Sequence, residues 1–176
     1  MKKIVLTFGI ISGLISGSLC FIMAPGEGEV PDFANGHLYG YATMIIALST
    51  IFFAVKQYRD KYNDSVIKFG KAFLIGLYIT MVAGVIYSIC WEAYLATSGN
   101  DFIDQYMEYS RNQMAEGGMS IAEINAEMEP QMEMVEKYKT NTPFRMGLTF
   151  LEILPVGLII SLISAGLFSF VLKKKE

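Results

Sequence analysis

The sequence predicts an all-α membrane protein: four transmembrane helices with an outward-facing helical insertion between the third and fourth. Three observations carry this. Four separate stretches are apolar and long enough to cross hydrocarbon at about 1.5 Å of rise per residue. Hydrophobic residues make up 53% of the 176, and the mean hydropathy is +0.40. Small residues recur every fourth position in three of the stretches, the pattern that lets membrane helices approach closely. The length suits one domain, residues 1–176.

The first stretch, residues 4–24, carries no charge and follows Lys2 and Lys3. A basic start before an apolar run also describes a secretory signal. Its length, and Pro25 directly after Met23-Ala24 where a small-x-small cleavage site would stand, favour an uncleaved helix. Gly9, Gly13 and Gly17 fall on one face of it, a packing seam. Residues 25–36 form a turn-rich loop with Glu27, Glu29 and Asp32. The second span, 38–55, is entered past Tyr39 and Tyr41, aromatic residues suited to the interface, and leaves into the basic run Lys56 to Lys61. The third, 72–91, repeats the small stripe as Gly76, Thr80, Gly84 and Ser88. The fourth, 148–172, does so as Gly157, Ser161, Ala165 and Ser169, and stops at Lys173, Lys174 and Lys175.

Orientation follows from Lys and Arg, which concentrate on the cytoplasmic side. Ten lie in the two termini and the central loop, against four in the longest loop (Arg111, Lys137, Lys139 and Arg145). Both termini are therefore expected in the cytoplasm, with residues 93–146 as an extracytoplasmic acidic cap. Phe102, Tyr106 and Tyr109 recur at helical spacing there, and Gly117-Gly118 breaks the pattern. Ser120-x-x-Glu123 reads as a capping box opening a second helix. Pro130 is expected to kink or interrupt that helix before a third piece reaches Tyr138.

Glu152 is the sharpest candidate for chemistry, a carboxylate in the outer third of an apolar span. A charge in hydrocarbon costs about 2.5 kcal/mol or more at mid-depth and less near an interface, so it needs a partner, a proton or water. A titrating or cation-binding role is one reading; a plain interfacial pair with Arg145, His37 or a Tyr hydroxyl is the other. Glu92 lies at the matching end of the third span and could share a proton or cation with Glu152, or face elsewhere. His37, the only histidine, fits an interfacial hydrogen bond better than a metal site. Pro155 before Gly157 would free carbonyls just below Glu152. Met128, Met132 and Met134 are soft enough for copper(I), but with glutamates between them and no His or Cys nearby they read as packing. Cys20 and Cys90 are within geometric reach of a disulfide, though two buried thiols are the simpler reading.

Catalytic signatures are lacking: there is no HExxH, GxSxG, Walker loop or GxGxxG, and no basic patch interleaved with aromatics. The expectation is no enzyme, no cofactor, no metal and no nucleic acid; the partners are the lipid bilayer and a second copy or another membrane protein.

Several segments do carry a resemblance. Gly40-Tyr41-x-x-Met44, Ile51-Phe52-Phe53 into Val55-Lys56-Gln57-Tyr58-Arg59-Asp60, Phe69-Gly70-Lys71-Ala72-Phe73, Trp91-Glu92, and Leu151-Glu152-x-x-Pro155-Val156-Gly157 leading to Ser161-Leu162-Ile163-Ser164-Ala165 together resemble domain-of-unknown-function family 4199. These are small bacterial four-pass membrane proteins. The resemblance implies a bacterial inner-membrane location and the four-helix plan. It supplies no catalytic residue, and it makes Glu92 and Glu152 parts of a shared pattern. The expected function is accordingly a non-enzymatic interaction or accessory component. The alternative is a small proton- or cation-coupled carrier using Glu152 and Glu92. A lipid-directed enzyme comes third, and would require a pocket joining Glu92, Glu152 and His37.

Overall fold

The computed structural model of the chain describes residues 1–24, 31–62, 66–98 and 101–172. Among these every regular element is helical: α1 Lys2–Ile22, α2 Phe33–Leu48, α3 Thr50–Tyr62, α4 Phe69–Ser98, α5 Asp101–Glu116, α6 Ile121–Thr140 and α7 Thr142–Gly166, the last continued by a π-helical turn over Leu167–Val171. Four helices are long and apolar enough to cross a membrane: α1, the α2–α3 pair, α4, and α7 with its π turn. Glu27 and Glu29 of the acidic loop and Lys173 to Lys175 lie outside the described residues.

The small-residue stripes set the packing. α1 runs parallel to α4. A Cβ placed on Gly9, Gly13 or Gly17 would meet Val82, Ile86 or Cys90 at 2.6, 2.6 and 2.5 Å, so each step of four on one helix matches a step of four on the other. α7 runs antiparallel to α4, with Gly76 against Ser161, Gly84 against the Phe150 ring, and Gly157 directly under the Thr80 side chain. Only glycine allows these backbones so close. Three hydroxyls trapped between α4 and α7 bond back to their own helices: Thr80 Oγ1 to the Gly76 carbonyl (3.0 Å), Ser88 Oγ to Gly84 (2.8 Å) and Ser161 Oγ to Gly157 (2.6 Å). That removes most of the cost of a hydroxyl away from water. Leu14, Ile46, Phe53, Val85 and Ile159 stay exposed on the outside of the bundle, where acyl chains would cover them.

The spans are longer than the apolar runs that announced them. The third extends past Trp91 to Ser98, and the fourth begins at Thr142 with Pro143 in its first turn and the Asn141 side chain accepting from the Phe144 amide (3.0 Å). The second, expected as one helix over 38–55, runs from Phe33 to Tyr62 and is broken at Ser49. Side chains satisfy the backbone there. Ser49 Oγ donates to the Ile45 carbonyl (2.7 Å), and Ser12 Oγ of α1 donates to the Ala47 carbonyl (3.0 Å) while sitting 2.5 Å from Thr50 Oγ1.

The insertion is a helical hairpin of two pieces. α5 ends at Gly117-Gly118, where Gly118 takes φ +88°, a left-handed conformation that suits glycine. α6 opens on the expected capping box, Ser120 with Glu123. Contrary to expectation it passes through Pro130 unbroken to Thr140, and Gln131 Nε2 donates to the Glu127 carbonyl (3.2 Å) beside the missing amide. Lys139 pairs with Asp104, and Arg111 Nη2 donates to Asn125 Oδ1 (3.3 Å), tying the two cap helices together.

A candidate ligand cavity beneath the cap

The face of α5 that the sequence marks out, Phe102, Tyr106 and Tyr109, converges on one ring. Phe33 at the start of α2 lies 5.4, 5.5 and 5.4 Å from these three by ring centroid. Phe102 also meets Trp91 (5.3 Å) and Tyr94 (5.8 Å) of α4 edge-on. From α6, the Tyr138 hydroxyl accepts from Trp91 Nε1 at 2.7 Å. Burial pushes the Tyr138 phenol above its ordinary value, so it stays neutral.

These bulky contacts hold the cap off the bundle and leave a cavity of about 630 Å³, within the size range that takes a drug-sized molecule. Ser16, Leu19 and Cys20 of α1, His37 and Met44 of α2, Tyr87, Trp91 and Tyr94 of α4, Phe102 and Tyr106 of α5, Met134 and Tyr138 of α6, and Thr149 and Glu152 of α7 contribute to its wall. Gly36 and Gly40 line it too, and a Cβ added at either would meet nothing within 4 Å. The Glu152 carboxylate, the His37 imidazole and the Tyr87 hydroxyl all belong to this wall. The Ser16 hydroxyl is buried without a hydrogen-bond partner among the described residues.

Glu92 stands apart from this. Arg145 Nε and Nη2 clasp its two oxygens at 2.7 and 2.5 Å, with both side chains largely buried. The same guanidinium donates through Nη1 to the carbonyls of Tyr138 (2.7 Å) and Lys139 (3.1 Å), and through Nη2 to Thr142 Oγ1 (3.2 Å). All five N–H donors of Arg145 are thereby used. They close the carbonyl end of α6, which no intrahelical amide can reach, and bind it to α4 and α7. The four polar candidates thus fall into two pairs. Glu152 and His37 share the cavity; Glu92 and Arg145 form a fastener in a separate pocket, where Arg145 takes both Glu92 oxygens. Tyr138 lies between, lining both the large cavity and a pocket of about 180 Å³ that contains Glu92 and Arg145.

Other candidates resolve as follows. Cys20 and Cys90 are both free thiols, Cys20 on the cavity wall and Cys90 seated against Gly17. Among the described residues no group of three or more His, Cys, Asp or Glu side chains could hold a metal ion. Met132 and Met134 are exposed on α6. α7 passes through Pro155 without interruption. The sequence did not single out Tyr87, Tyr94 or Tyr138 as parts of a site. Nothing local shows that aromatic rings at the end of an apolar span face a shared space rather than headgroups.

Residues 7–169 match the family described as protein of unknown function DUF4199. The chain belongs to this family. The match takes in the cavity residues and the Glu92–Arg145 fastener of this DUF4199 chain alike. No curated protein and no solved structure matches it.

Proposed function

We propose that this DUF4199 protein is a non-enzymatic accessory component of the bacterial inner membrane, with both termini cytoplasmic and the α5–α6 cap outside, that binds a small, largely apolar molecule beneath the cap. The cavity carries this reading: it is large, walled by aromatic and aliphatic side chains from all four spans and both cap helices, and punctuated by few polar groups. The excess of Lys and Arg in the termini and central loop supports the orientation.

Trp91, the only tryptophan, lines the cavity and serves as a built-in donor for energy transfer. In lipid nanodiscs, N-phenyl-1-naphthylamine should accept its emission saturably, at one probe per chain. Gly40→Phe, which grows a ring into open space on the cavity side of α2, should abolish that transfer while leaving thermal stability intact. Transfer that rises in proportion to probe in the lipid, unaffected by Gly40→Phe, would refute a bound ligand.

The second reading, a proton- or cation-coupled carrier, now rests on Glu152 alone, because Arg145 engages Glu92. Liposomes containing a pH dye test it: a leak abolished by Glu152→Gln favours a carrier, and identical traces for both proteins remove it.

A further inference from the structure

The cavity has a charge as well as a shape. Two carboxylates face it, Asp32 and Glu152, with one imidazole, His37, and no Lys or Arg stands among the described residues of its wall. The cations of the cap end are each engaged elsewhere. Arg145 is saturated by Glu92 and its neighbours, Lys139 pairs with Asp104, Lys137 sits 4.5 Å over the Phe144 ring, and Arg111 donates to Asn125. Asp32 is also occupied, since both of its oxygens accept from Asn35 as it caps α2 (3.2 and 2.9 Å). These donors are neutral and leave the Asp32 charge in place, so both carboxylates make the wall negative; Asp32 is fixed in its cap, and Glu152 is the one that caps no helix. The same wall carries the rings of Trp91, Tyr94 and Phe102, packed together with centroids 5.3 to 5.8 Å apart. Aromatic faces attract cations once water is excluded, and an anion entering such a site would meet two like charges, with no Lys or Arg among the described residues of the wall to offset them.

We propose that the cavity is a site for lipophilic monocations: molecules with an apolar or aromatic body and one positive charge, the charge held by Glu152 and the body by the aromatic wall. This rests on the small-molecule reading above and adds a charge preference to it. A fatty acid or an anionic phospholipid is selected against; a neutral apolar molecule fits the space but gains nothing from the carboxylate.

The test is a displacement assay. Tetraphenylphosphonium should displace N-phenyl-1-naphthylamine from the wild-type protein. In Glu152→Gln the neutral probe should bind as before, while about tenfold more phosphonium should be needed to displace it. Glu152→Asp, which keeps the charge, should restore most of the difference. Phe102→Leu removes one ring of the wall, so both molecules should bind less tightly, the phosphonium by about two- to fivefold more than the neutral probe. If Glu152→Gln does not fold, the phosphonium-to-neutral ratio of Phe102→Leu decides. Equal phosphonium potency in wild type and Glu152→Gln, with the neutral probe still bound, overturns the charge preference alone. Loss of neutral-probe binding in the wild type overturns the small-molecule reading itself.

Discussion

The two ends of this bundle solve opposite problems with the same residue types. Away from the cap the helices close on one another: Arg59 Nη1 donates to the Leu172 carbonyl (3.1 Å) and lies 5.1 Å over the Phe168 ring, and Phe69 stacks on Phe73 and Phe170. Toward the cap the same kinds of group, an arginine and a set of aromatic rings, tie the cap helices to the spans around a cavity. The glycines make the contrast plainest. Gly9, Gly13, Gly17, Gly76, Gly84 and Gly157 each sit where a Cβ would strike a neighbouring helix, whereas Gly36 and Gly40 on α2 face open space. A small residue in a membrane helix can thus mean contact or vacancy, and only its neighbour tells which.

The largest effect should come from cutting the fastener that holds the cap in place. Arg145→Ala leaves Glu92 buried and unpaired, a change that costs about 3–5 kcal/mol when a buried partner is removed. Unfolding in detergent should show the loss, and amide exchange should accelerate at residues 138–142. Arg145→Lys should recover little, because an ammonium cannot replace a planar five-donor fork. A neutral outcome for both variants would mean that the cap is held by its aromatic contacts alone.

Next is a glycine from the closed seams. Gly157→Val places a side chain against Thr80 and should cost about 1–3 kcal/mol. Thr80→Gly in the same chain should return part of it, since the two residues share one contact. The comparison sharpens when Gly157→Val is set beside Gly40→Phe, where a much larger side chain should be nearly neutral for stability.

The smallest effect belongs to the capping box. Ser120 holds the Glu123 carboxyl below the ordinary carboxyl value of 4.5. A lowered folded-state value stabilises the ionised form, so the contribution is complete above that ordinary value and fades as pH falls through the lowered one. Amide protection factors in the first turn of α6, corrected for the intrinsic pH dependence of exchange, should therefore fall at acid pH in the wild type. In Ser120→Ala they should already be low at neutral pH; a wild type indifferent to acid would show that the box adds nothing.

How much of this was legible follows from the range of each interaction. The four spans, the glycine seams, the α5 face and the capping box all depend on residues within a turn or two of one another, and their spacing is written in the chain. The pairing of Glu92 with Arg145 crosses from α4 to α7 and depends on where α6 ends, which no local pattern states. The break at Ser49 was hidden for the same reason, because Ser12 on another helix supports the freed backbone. The cavity was the least legible feature. It is produced by what the cap fails to reach, and an unfilled space leaves no periodicity.

One measurement bears on the central claim most directly. Tetraphenylarsonium has the shape and charge of the phosphonium and carries an anomalous scatterer, so crystals grown with it locate the bound cation without assumption. The account requires a single strong peak under the cap, enclosed by Trp91, Tyr94 and Phe102 with Glu152 as the nearest charged group. A peak only on the lipid-facing surface, or a cavity closed by Glu152 turning to Arg145, would contradict it.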